Sequence, residues 1–268
     1  MEGSPPRRRR LAAAISAGFA VAFVAPAATW AEDQPTPVPP ALAQARPSPD
    51  FFFGQPRGSI AFRGAWLFAS AGSDIFDFVT EQLTIDRRAF DAPALGAELA
   101  IRVRPRVDIV VGIDASFTST SSEYRDFVDN NFLPIAQQTS LRQVDLSASV
   151  RVFLRPRGQR ISRFAWIPST FAPYVGAGGG MLKYDLKQSG DFVDFADLSV
   201  FTSRFQSEKW TPSAHVFGGA EIRVFRKLYA TTEARYVWAS ADLDTPFVGF
   251  DPIDLSGLRC GAGLKLAF

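Results

Sequence analysis

From Gly58 onward, apolar and polar positions alternate with period two. In "LGAELAIRV" (95–103), Leu95, Ala97, Leu99, Ile101 and Val103 fall on one face, and Gly96, Glu98, Ala100 and Arg102 on the other. In "VDIVVGIDASF" (107–117), Val107, Ile109, Val111, Ile113, Ala115 and Phe117 oppose Asp108, Gly112, Asp114 and Ser116. Such alternation marks strands with one apolar face. It predicts eight strands, over 58–70, 89–104, 107–119, 141–155, 172–188, 211–226, 228–239 and 255–268. The connections differ in kind. Turns at 104–107 and 226–228 are tight, and 155–171 is longer and basic. The connections 71–88, 120–140, 189–210 and 240–254 are long.

Short turns at one end and long loops at the other, with an even strand number, suit an up-and-down barrel spanning a membrane. A secreted lipocalin-type barrel has the same strand count but points its apolar face inward. Three features favour the inverted arrangement. The polar face is rich in small and charged residues, which suits a narrow interior. Aromatic residues gather at strand ends, as rings do at lipid–water interfaces: Trp66, Phe68, Phe117, Tyr184, Trp210, Tyr236 and Trp238 at the loop end, and Tyr174 and Phe268 at the turn end. The last strand keeps Leu258, Cys260, Ala262, Leu264, Leu266 and Phe268 on one face and stops at Phe268.

The N-terminus adds a destination. "MEGSPPRRRR" followed by "LAAAISAGFAVAFVAPAATWA" is a basic start, an apolar run and a small-residue exit, the pattern of a secretory signal peptide over 1–31. Ala43 and Ala45 are rival cleavage points to Ala31. Residues 32–53 are then a Pro-rich periplasmic leader, and 54–268 the barrel. A net charge of +2 gives no footprint for nucleic acid. One His and one Cys leave little for a zinc site or a Cys-His nucleophile, so neither metal nor cofactor is expected.

A final alternating strand closed by Phe268, together with "PYVGAGGG" (173–180), resembles the small bacterial outer-membrane barrels related to outer membrane proteins A and W. The resemblance covers about 54–268. It implies an all-β, eight-stranded antiparallel transmembrane barrel with long extracellular loops, embedded among outer-membrane lipids. It also implies that Leu264, Leu266 and Phe268 form the signal read by the barrel assembly machinery, after escort by periplasmic chaperones. The glycines of "GAGGG" precede a strand rather than a helix, so they read as relief of crowding and not as a phosphate cradle.

Following the polar face gives an interior of mixed charge: Arg63, Glu98, Arg102, Asp114, Asp145, Arg151, Glu221, Arg223, Glu233, Arg235, Arg259 and Lys265, with Arg104, Asp108, Lys183 and Asp185 on the same face. Charges of both signs in so narrow a lumen must pair, which predicts a salt-bridged plug rather than an ion-selective pore. His215 and Ser213, with Glu221 and Glu233 nearby, are the one constellation that an esterase could use; catalysis is not expected from it.

Four Phe-Val pairs fall in the long connections, each beside acids: Phe78-Val79, Phe127-Val128, Phe192-Val193 and Phe247-Val248. So much apolar surface would not be left scattered in water. The expectation is a loop cap packed above the barrel, with "SDIFDFV" (73–79) forming a short helix. The acids match no calcium-loop spacing. A structural or surface-interaction role follows, with binding or passage of a small hydrophobic molecule as the alternative and lipid modification as a distant one.

Overall fold

The computed structural model describes residues 52–129, 132–162 and 165–268. The expected signal peptide and nearly all of the leader lie outside the described residues. Eight long strands form the body: β1 (Gly58–Ala69), β2 (Ala92–Arg104), β3 (Val107–Val128), β4 (Pro134–Phe153), β5 (Phe171–Val193), β6 (Val200–Phe225), β7 (Leu228–Ala241) and β8 (Gly257–Ala267). Each pairs antiparallel with its chain neighbours. β8 returns to β1, from Gly257↔Ala69 to Ala267↔Ser59, and closes the ring.

The alternation read from the sequence sets the facing. Leu95, Ile109, Val111, Val150, Val216 and Leu264 are exposed on the outer wall, while Glu98, Asp114, Asp145 and Arg151 are buried inside. A closed ring leaves no unpaired backbone edge, and an apolar outer wall suits hydrocarbon as the solvent. Gly96 and Gly176 stand on the inner face where a β-carbon would collide with Asp114 and with the Phe217 ring. The small residues of the polar face thus make room for the large ones opposite.

Four strands run further than the sequence predicts. β3 continues to Val128, β4 starts at Pro134, β5 ends at Val193 and β6 begins at Val200, so the expected loops 120–140 and 189–210 are mostly hairpin. Segments such as "TSTSSEYR" and "AQQTS" carry few apolar side chains, and apolar alternation could not mark them. Their backbone pairing continues all the same. The first long connection holds a helix, Asp74–Gln82, which buries Ile75, Phe76 and Val79.

The basic connection is also structured. Gly158–Arg160 pairs with Ala165–Pro168, and Phe52–Phe53, assigned to the leader by composition, adds a third short strand. Trp166 is buried there and stacks on Phe52 at 5.7 Å. The aromatic belts need correction as well. Trp66, Phe68, Phe117, Trp210 and Trp238 are exposed at the loop end, but Tyr184 and Tyr174 point inward and are buried. At the turn end Phe171 and Phe225 join Phe268 on the outer face.

Candidate functional site

The lumen has two fillings, one above the other. Nearer the turn end it is ionic. Arg63 reaches Glu98 at 3.1 Å and Glu233 at 3.2 Å, and pairs with Asp114. Arg151 reaches Glu98 at 2.7 Å, Glu233 at 3.6 Å and Glu221 at 4.0 Å. Arg235 bridges Glu233 at 2.9 Å and Asp114 at 3.4 Å, Arg259 faces Asp145 at 3.6 Å, and Lys265 pairs with Glu221. The cations also stack on inward aromatics: Arg151 lies 4.6 Å from the Tyr174 ring centre, and Arg235 lies 4.9 Å from that of Phe217. Charge and ring face thus stabilise the Arg151 and Arg235 guanidiniums together.

Two residues expected in this network stand apart from these pairs. Arg102 sits at the turn-end mouth, 5.9 Å from the Trp166 ring centre, with its Nε and Nη1 lacking hydrogen-bond partners. Arg223 is partly buried near the same end of β6. Lys183 and Asp185 are on the outer face, paired with Glu208 and Lys187, because the inward positions of β5 are the even ones. Arg104 is exposed at the end of β2. Conversely, Arg157 from the basic connection was missed. It enters the mouth, donates to both oxygens of Asp108 at 2.7 Å, and lies 4.1 Å from the Phe153 ring centre. No strand periodicity could point to it, since it precedes a short hairpin in a connection.

The Ser213–His215 constellation is not assembled. Ser213 donates to Asp145 at 2.9 Å, whereas His215 Nε2 faces Ser149 at 2.7 Å and its Nδ1 has no partner. Glu221 and Glu233 are held by cations, so neither orients the imidazole.

Nearer the loop end the same inward face turns apolar. Leu141, Leu182, Tyr184, Leu186, Ala239 and Leu255 are buried in one cluster with Ile75, Phe76, Val79, Leu83, Phe90 and Phe247 from the long connections. The sequence reading missed this change, because it followed the inner face for charges. Rings from different connections meet: Phe78 packs on Phe195 at 6.3 Å and Phe250 at 5.5 Å, Phe127 on Phe195 at 5.8 Å, and Phe205 on Phe247 at 6.3 Å. Phe192 packs within its own hairpin, 4.6 Å from Phe205, and Val79 and Val193 are buried. Val128 and Val248 lie outside this packing, 54% and 80% exposed. Val248 follows a 3-10 turn, Thr245–Phe247, that aims Phe247 inward and leaves its neighbour outside.

Several loop acids tie connections together. The Asp251 N–H donates to Asp74 at 3.0 Å, the Gly72 N–H to Asp254 at 3.1 Å, and the Glu208 N–H to Asp244 at 3.0 Å. Within this framework is a cavity of about 180 Å³, lined by seven phenylalanines together with Tyr124, Gln137, Gln188 and others from all four long connections. The spaces in the ionic layer are far smaller, about 10 Å³ beside Arg63 and Glu98 and about 20 Å³ beside Arg102 and Asp108.

No protein-family model and no curated protein matches the chain. Similar solved structures include Neisserial surface protein A, at 11% identity and a TM-score of 0.45 over 79% of this chain and 97% of that one. The outer membrane protein OprG from Pseudomonas aeruginosa is 12% identical, with a TM-score of 0.44 over 81% and 99%. Ail, the attachment invasion locus protein of Yersinia pestis, is 10% identical, with a TM-score of 0.38 over 79% and 100%. The assignment rests on the chain's own geometry. An apolar band running round a closed wall is unfavourable in water, whereas lipid requires it. The chain is a closed eight-stranded antiparallel β-barrel whose outer wall suits lipid.

Proposed function

We propose that this barrel does not conduct ions, and that its working part is the extracellular loop cap, in a structural or surface-interaction role. The observation that supports this is the ionic layer. Cations and carboxylates from facing strands bridge the lumen, and the spaces among the described residues there, about 10–20 Å³, are of single-water size. An ion crossing this layer would have to displace paired buried charges. In planar bilayers the purified protein is expected to give no steady conductance; a large ion-selective conductance would overturn the reading.

On the same reading, residues 1–31 direct export, and the row of Leu264, Leu266 and Phe268 addresses the assembly machinery. Those three side chains are exposed on the outer wall. The Phe268 carbonyl accepts from the N–H groups of Arg57 and Gly58, at 2.8 and 3.0 Å, which fixes the end of the strand.

A second reading, binding of a small hydrophobic molecule, is favoured by the cavity in the cap. Binding fits better than passage, since the ionic layer lies beneath.

A further inference from the structure

We infer that the cap cavity is a binding site for a neutral, single-ring aromatic molecule carrying one hydrogen-bonding group, of the phenol type. This rests on the second reading above and gives its ligand a class. Size is the first argument. The cavity measures about 180 Å³, close to the roughly 150 Å³ of an apolar protein cavity that stays dry and takes up benzene. A membrane lipid's acyl chain does not fit such a space whole.

Wall chemistry is the second. Phenylalanines dominate the lining, several in edge-to-face pairs such as Phe192–Phe205 and Phe78–Phe250. Ring edges and faces together favour an aromatic guest over an aliphatic one of equal volume. No lining residue is charged, so an ionised ligand would lose hydration without a counter-charge.

Two polar groups are the third. The Gln188 side chain is buried in the lining, and among the described residues nothing hydrogen-bonds its carboxamide. The Tyr124 hydroxyl accepts from Gln137 Nε2 at 3.1 Å, which leaves its own proton to donate. A carboxamide and a hydroxyl without a full set of partners, in a wall otherwise made of rings, suit a guest that is mostly ring with one polar atom. The exposed rings of Phe78, Phe195 and Phe201 line the same cavity and give it an opening toward the cell exterior.

The test uses the full protein in phospholipid nanodiscs and fluorine NMR of three probes: 4-fluorophenol, fluorobenzene and 4-fluorobenzoate. Saturable binding of 4-fluorophenol is expected, with fluorobenzene weaker by about five- to tenfold and 4-fluorobenzoate not bound. Gln188→Met or Tyr124→Phe should bring 4-fluorophenol toward the fluorobenzene affinity without changing fluorobenzene itself. Gln82→Trp, at a partly exposed lining position, should weaken both rings by filling the mouth. Circular dichroism and resistance to unfolding in unheated detergent establish that each variant is folded. Unchanged 4-fluorophenol affinity in both polar variants, or tight 4-fluorobenzoate binding, would overturn the inference and leave the hydrophobic-ligand reading standing. No saturable binding of either neutral ring would remove both.

Discussion

The two halves of the lumen are built on the inward faces of the same eight strands, yet they are filled on opposite principles. In the turn-end half the buried charges are held by specific partners: Arg151 has Glu98, Glu233 and the Tyr174 ring, and Asp108 has Arg157. In the loop-end half Leu141, Leu182, Leu186 and Phe247 share one apolar cluster in which no single contact is privileged. Ionic filling is discrete, because each buried charge needs its counter-charge. Apolar filling is collective and scales with area removed from water. An empty space beside an unpaired charge is costly, whereas an apolar cluster can enclose a dry one. Among the described residues, the difference accounts for a sizeable cavity in the cap and only water-sized spaces in the ionic layer.

The comparison breaks most visibly at Arg151. Arg151→Leu leaves Glu98 without its 2.7 Å partner and loosens Glu233. Destabilisation of roughly 3–5 kcal/mol is expected for the whole barrel, read from urea unfolding in lipid bilayers. A change below about 1 kcal/mol would mean that the ionic layer is not paired as described.

The apolar half should respond less and more locally. Phe247→Ala is expected to cost on the order of 3 kcal/mol in the cap. Limited proteolysis should find faster cleavage in the long connections while the membrane-embedded strands stay protected. Equal loosening of both regions would show that the two fillings fold as one unit.

The smallest effect is expected where charge meets water. Arg87 and Asp77 pair on the cap surface with side chains 54% and 48% exposed. Arg87→Ala should shift stability by less than about 1 kcal/mol, and added salt should erase even that. A larger loss would place this pair with the buried ones and blur the contrast.

Much of this design was legible along the chain. Strand number and the inward and outward faces followed from alternation, because side chains on a strand change sides at every residue. The mixed sign of interior charge followed from listing one face. The Phe-Val pairs pointed to a cap, and Phe78, Phe127, Phe192 and Phe247 do pack against other rings there. Val128 and Val248 do not, since adjacency to a buried Phe says nothing of facing in a turn or at a strand end. The extended hairpins were illegible because polar strands above the membrane carry no apolar signal.

The sequence by itself determined what is local: eight strands, a lipid-compatible outer face, and a charged inner one. Tertiary structure alone decided which groups meet. Arg63 and Asp114 are 51 residues apart, and Arg157 and Asp108 are 49 apart. Their meeting depends on the register of a closed ring and on the path of a connection that folds into the mouth. The depth at which the inner face turns from ionic to apolar was decided in the same way. So was the convergence of four separate connections on one cavity. Each arises from alignment across strands, and periodicity within a single strand carries no information about the strand that will lie opposite.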